Sequence, residues 1–204
     1  LGGLRGLSDL AGADASLAPR LIDACRAVAE RGGVIAGRMT SLSRADSPGQ
    51  ERQIDVASVA GTVVSMMGPS LAPRHIGVAE SYQAVPPTWV SEGKILQVLL
   101  NLITNARDSV GSDGRVDISV RHDADQNRIV ISVHDSGAGI RAEDLSRVFD
   151  PFFTTKLGPG PDGDELSHLG LGLAESRTIV HDCGGTIDVE SQPAKGATFT
   201  VRLP

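Results

Sequence analysis

The sequence predicts an α+β protein: a two-layer α/β sandwich with a mixed sheet, preceded by an α-helical hairpin. Three observations carry this. Leu21, Val28, Ile35 and Leu42 recur every seven residues in the first quarter of the chain, the spacing of an apolar seam on a helix. Val116–Val120 and Ile129–Val133 alternate apolar and polar residues around a short polar turn, as a strand pair does. Between these regions, Ile95, Leu96, Val98, Leu99, Leu102 and Ile103 mark one buried side of a helix.

Taken in order, residues 1–12, with Leu1, Leu4, Leu7 and Leu10, read as the end of a helix, and the stretch Gly12 to Ser16 as a turn. A second helix runs over 16–44, weakened by Gly32, Gly33 and Gly37. One hairpin buries its seam poorly, so residues 1–45 are expected to pair with a second copy into a four-helix bundle. Packing on the following domain is the alternative. Residues 46–52, with Ser47-Pro-Gly49, form a linker. From 53 to 204 the pattern is that of one further domain. Val56–Met67 is helical, Ile76–Ser81 a strand, and Ala84–Thr88, with Pro86-Pro87, a loop. Ser91 is placed to cap a helix reaching about Ser109, and Gly111–Gly114 turns the chain into the strand pair. A last helix opens near Gly170 and stops at Gly184-Gly185, followed by strands Thr186–Val189 and Thr198–Leu203.

Composition limits the function. Of 204 residues 40% are hydrophobic and 3% aromatic, so the core must be aliphatic. The net charge is −6; residues 1–52 carry seven Arg against six acidic residues, leaving the rest of the chain at −7. Neither part has the basic field of a nucleic-acid binder. Any phosphate site must draw positive charge from a metal, a local Lys or backbone N–H groups. Cys25 and Cys183 lack metal-type spacing and read as free thiols of a reducing, cytoplasmic setting. No apolar run is expected to reach the ~18–20 residues that cross a bilayer. The chain opens at Leu1 rather than Met, so a fragment is expected, and its parent could still be membrane-anchored.

Three short motifs carry chemistry. Asn101 and Asn105 lie four apart on one helix face. Their amide oxygens are hard donors suited to Mg²⁺ beside phosphate oxygens, although two capping or solvent-facing Asn residues would look the same. Asp135-Ser-Gly-Ala-Gly-Ile140 follows directly on a strand. A carboxylate at a strand end can accept from an exocyclic amine, and Gly137 and Gly139 let the backbone approach a flat ring; an ordinary Asp-Gly turn is the plainer reading. Gly170-Leu171-Gly172-Leu173 precedes a helix, where exposed N–H groups favour phosphate. There is no G-x-G-x-x-G after an early strand and no Gly-Lys-Ser/Thr loop. Between the last two motifs, Val148 to Lys156 has Phe anchors and 157–164 is rich in Gly, Pro and Asp, as in a lid that closes over a ligand.

In this order the motifs resemble the boxes of sensor histidine kinase catalytic domains, within the gyrase/Hsp90/histidine kinase/MutL superfamily. Asn101 and Asn105 are similar to the N box, Asp135–Ile140 to the G1 box and Phe149–Phe153 to the F box. Gly170–Leu173 is similar to the G2 box and Gly196-Ala-Thr-Phe199 to the last G box. The Phe-Phe-Thr-Thr-Lys form resembles the nitrogen-regulation type. The likeness covers roughly 53–204, and residues 1–45 resemble the dimerisation and phosphotransfer hairpin.

The resemblance implies a Bergerat-type fold with ATP and Mg²⁺ as cofactors. Asp135 would bind the adenine amine, supported by Gly137, Gly139, Ile140 and Thr198. Asn105, with Asn101, would hold Mg²⁺. Phe149 would anchor the lid, Gly170, Leu171 and Gly172 would meet phosphates, and Lys156 would reach them from the lid. The γ-phosphoryl group would pass to a His upstream of Leu1, and then to an Asp of a response-regulator receiver domain. The chain departs from the pattern in three places. None of its five histidines stands in a phosphoacceptor context, His168 replaces a frequent Gly, and Asp108 and Ser109 stand where Lys and Tyr are common. The alternative is an ATP-binding regulatory or hydrolytic module of the same superfamily. Hydrolases carry Glu at the position of Asn101, and Asn cannot serve as that base.

Overall fold

The computed structural model describes residues 51–155 and 170–204. The helical hairpin of 1–45, most of the linker, Lys156 and the rest of the lid segment lie outside the described residues. The elements run β1 (Arg52–Ile54), α1 (Val56–Leu71), a 3₁₀ turn (Ala72–Arg74), β2 (Gly77–Tyr82), β3 (Thr88–Val90) and α2 (Glu92–Val110). They continue with β4 (Arg115–Asp123), β5 (Arg128–Asp135), α3 (Ala142–Leu145), α4 (Gly172–Asp182), β6 (Thr186–Ser191) and β7 (Ala197–Leu203).

Five strands form one sheet in the order β2-β4-β5-β7-β6. β2 runs parallel to β4, and every other pair is antiparallel. The sheet is therefore mixed, as expected. Alternation decides which face is covered. Val116, Ile118 and Val120 of β4, Ile129, Ile131 and Val133 of β5, and Phe199, Val201 and Leu203 of β7 are all buried. Their neighbours along the strand are mostly only partly covered, so one face packs against the helices and the other stays polar. The same parity carries Asp135 and Ala197 to the covered face, since Val116 pairs with Asp135 and Asp135 with Ala197.

The central helix is α2. It buries Ile95, Leu96, Val98, Leu99, Leu102, Ile103 and Ala106, the six residues expected from the sequence plus one. Ser91 is its N-cap residue by position, but its side chain makes no capping bond, contrary to expectation. The helix stops at Gly111, whose positive φ of 73° ends the helical path. Helix α1 runs on through Pro69 to Leu71, beyond the expected end at Met67. Leu71 is only 2% exposed, so core packing holds the last turn although Pro69 can donate no N–H. Val56–Arg74 is long and apolar enough to cross a bilayer by length and composition alone. Val56, Val59, Ala60, Val63, Val64, Met67 and Leu71 nevertheless belong to the domain core.

Strands β1 and β3 pair antiparallel as a small second sheet. Thr88, expected in a loop, pairs with Ile54 and donates through Oγ1 to the Pro204 carbonyl at 2.8 Å. Three residues are too few to show a period of two. Arg52, assigned to the linker, opens β1 and pairs with Glu92. The free thiol of Cys183 is half-buried, and burial pushes its pKa up. Helix α1 opens on a side-chain cap. Asp55 Oδ1 accepts from the Ala57 N–H at 3.1 Å and Oδ2 from the Ser58 hydroxyl at 2.6 Å. Asp55→Ala should therefore lower stability by about 1 kcal/mol, measured by chemical denaturation. An unchanged denaturation midpoint would show that this cap is energetically idle.

Candidate functional site

One cavity of about 570 Å³ opens between α2, the end of β5, the F-box segment and the start of α4. From α2 come Asn101, Thr104, Asn105, Asp108 and Ser109. Their spacing of three and four residues makes a polar stripe on the helix side away from the core. The two Asn residues were expected as ligands; Thr104, Asp108 and Ser109 follow from the same spacing.

Asp135 forms the floor. It is 2% exposed, yet its carboxylate is held by two donors. The Ser109 hydroxyl and the Gly137 N–H both donate to Oδ1 at 2.9 Å. A buried carboxylate is costly unless satisfied, and here both bonds fall on one oxygen. Oδ2 takes neither and is the atom left for a partner in the cavity.

The loop after Asp135 is fixed by the β6–β7 turn. Ile140 N–H donates to Ser191 Oγ at 2.8 Å, Ser191 Oγ donates to the Gly196 carbonyl at 2.6 Å, and Ala194 N–H donates to the Ala138 carbonyl at 2.7 Å. Gly139 has φ +70°, and a Cβ there would strike the Gln192 carbonyl oxygen. Only glycine fits that approach.

Asn101 joins two walls. Its Nδ2 donates to the Gly172 carbonyl at 3.1 Å and lies 3.3 Å from Ser176 Oγ, which itself donates to the same carbonyl. Gln97 Nε2 donates to Glu175 Oε1 at 2.6 Å alongside. These bonds seat the first turn of α4, whose N-terminus carries free N–H groups and a positive dipole end. Asn105, by contrast, makes no side-chain hydrogen bond among the described residues and lines the cavity. An uncommitted amide with a hard oxygen is a fit for a divalent cation shared with a ligand's phosphates. No cluster of three His, Cys, Asp or Glu side chains suited to a metal occurs among the described residues. A cation here would depend on the Asn side and on the ligand.

The F box is anchored rather than exposed at Phe149. That ring packs edge-on to Phe199 with centroids 6.3 Å apart, and Arg177 of α4 lies over it at 5.6 Å. Phe153 reaches the cavity with Arg147 stacked 4.6 Å from its centroid. Phe152 points outward, and its N–H donates to the Gly170 carbonyl at 3.0 Å. Phe152 and Gly170, on either side of 156–169 in sequence, are thereby tied together beside the cavity.

Of the residues singled out in sequence, Asn101, Asn105, Asp135, Gly139, Ile140, Gly170 and Gly172 line the cavity. Gly137, Phe149 and Leu171 are not among its lining residues, and Lys156 lies outside the described residues. Thr198 is on the other face of the sheet, where its Oγ1 lies 3.0 Å from His134 Nδ1. Strand parity is the reason: Phe199, Val201 and Leu203 face inward, so Thr198 must face outward, and Ala197 takes the cavity position. Asp108, Asp135 and Glu175 put three carboxylates into the lining, with no Lys or Arg among the described lining residues. Asp108 is paired with Arg107 at 2.9 Å and Arg74 at 3.6 Å.

A mixed sheet, a helical layer and a carboxylate-floored cavity are the frame in which the comparisons with known proteins fall. Residues 91–204 match the family described as histidine kinase-, DNA gyrase B-, and HSP90-like ATPase, and the chain belongs to that family. Its relatives are sensor histidine kinases. ZraS of Klebsiella oxytoca is 38% identical over 154 residues, covering 75% of this chain and 31% of that protein. The adaptive-response sensory kinase SasA of Parasynechococcus marenigrum is 31% identical over 75% of this chain and 39% of its own length. The chain thus spans about a third of the length of these relatives. The crystallised catalytic domain of histidine kinase ThkA superposes with a TM-score of 0.65 at 26% identity, over 76% of this chain and 95% of that one. Full-length ShkA in complex with AMPPNP superposes with a TM-score of 0.64 at 25% identity, over 76% of this chain and 31% of that one.

Proposed function

We propose that this chain is the kinase core of a two-component sensor histidine kinase, binding ATP with Mg²⁺ and presenting the γ-phosphoryl group to a histidine. The observation that carries the reading is Asp135, a buried carboxylate whose Oδ1 is saturated and whose other oxygen is left for the cavity. That is the arrangement needed to accept from an adenine amine. Gly139 and Ile140 flank the base, with Ala197 rather than Thr198 beneath it.

Asn105 would hold the magnesium ion, with Asn101 fixing the wall beside it. The ion would neutralise charge on the triphosphate and orient it. Gly170, Gly172 and the N-terminal turn of α4 receive phosphate oxygens, and Lys156 would add a cation from the lid. The protein's part in phosphoryl transfer is positioning and charge stabilisation. Asn101 cannot act as a general base, and its amide is spent on the Gly172 carbonyl, which favours transfer to a histidine over hydrolysis. Residues 1–45 would dimerise, and the phosphoryl group would pass on to a response-regulator Asp. ThkA, whose fold matches at a TM-score of 0.65, has been crystallised in complex with the response regulator protein TrrA.

The acceptor histidine is none of the five present, so incubation with γ-labelled ATP should leave this chain without acid-labile label. A longer chain carrying the residues before Leu1 should become labelled. Stable phosphohistidine on His75, His122, His134, His168 or His181 would overturn the assignment.

A further inference from the structure

We propose that Ser109 is a positioning residue that sets base selectivity by locking the Asp135 carboxylate; this rests on the adenine reading of Asp135. Ser109 stands in the last turn of α2, one turn beyond Asn105 on the same face, and it lines the cavity. Its hydroxyl donates to Asp135 Oδ1 at 2.9 Å. The backbone at Ser109 is pressed against the loop after β5, where a Cβ on Gly137 would meet its carbonyl carbon at 2.5 Å. Gly137, lacking a Cβ, leaves the hydroxyl its place beside the carboxylate, since a Cβ there would also strike Ser109 Oγ.

The consequence is directional. With two donors on Oδ1, rotation of the carboxylate about its last torsion would cost both bonds at once, so Oδ2 stays aimed into the cavity as a pure acceptor. A purine with an amine at position 6 matches that acceptor. A purine with a carbonyl there, such as hypoxanthine, sets oxygen against oxygen and is rejected. Without the hydroxyl, only the Gly137 N–H restrains the group. The carboxylate can then tilt out of line with a 6-amine, and a water in the space of the hydroxyl can donate to both the carboxylate and a 6-carbonyl, so the rejection weakens. Ser109 does not touch the base; it acts through Asp135.

The experiment compares ATP and ITP affinities by calorimetry for wild type, Ser109→Ala and Ser109→Thr, each with magnesium and with a chelator. Ala is a strong helix former at a helix end, so the variant should fold, and thermal unfolding without nucleotide verifies it. Wild type should prefer ATP. Ser109→Ala should lose roughly tenfold in ATP affinity and little for ITP, with the same loss in magnesium and chelator. Ser109→Thr, which keeps the hydroxyl, should restore the ratio. Equal losses for both nucleotides, or failure of Thr to restore selectivity, would overturn the positioning role while leaving Asp135 in place. No preference for ATP over ITP in the wild type would instead overturn the adenine reading itself.

Discussion

Asp135→Asn should lower adenine-nucleotide affinity by about 1.5–3 kcal/mol, roughly tenfold to a hundredfold, and leave the fold intact. The two side chains have the same shape. Asn can offer its oxygen to the Ser109 hydroxyl and the Gly137 N–H, preserving both bonds now made to Oδ1. Its amide nitrogen then falls where Oδ2 was and meets the adenine amine as donor against donor. The loss is thus confined to the cavity. Calorimetric titration measures it, and thermal unfolding without nucleotide shows whether the fold has paid any part. Unchanged affinity would remove the adenine assignment.

Asn105→Ala should weaken Mg-ATP binding by about tenfold or more and metal-free ATP binding little. The lining holds Asp108, Asp135 and Glu175 and no Lys or Arg among its described residues. A triphosphate entering that field needs a cation held in place. Asn105 makes no side-chain hydrogen bond among the described residues, and the buried side of α2 is untouched by the change. The stability cost should be small. Affinity measured for wild type and variant, with magnesium and with chelator, separates the roles. An equal loss in both conditions would show that Asn105 is not the metal ligand.

Much of the fold was legible because its signals are periodic. The buried side of α2 and the strand pair β4–β5 follow from spacings of three to four and of two. The short strands β1 and β3 were not, since three residues carry no period, and neither was α3, a single turn. Among the cavity-lining residues, Asn101, Asn105, Asp135, Gly139, Gly170 and Gly172 stand out by order and spacing in the sequence. Thr198 shows the limit of motif matching: its place in a box suggested a role, whereas the parity of β7 turns it to the other face. Ser109 was noted only as a departure from a pattern. Its bond to Asp135 joins residues 26 apart in sequence and could be seen only once both elements were folded.

The most direct measurement is calorimetric titration of the 204-residue chain with ATP, run once in excess magnesium and once in chelator, with UTP as the control. One saturable site should appear for ATP, tighter with magnesium, and UTP should bind far more weakly. Absence of saturable ATP binding, or equal binding of ATP and UTP, would contradict a nucleotide site built on Asp135 and Asn105.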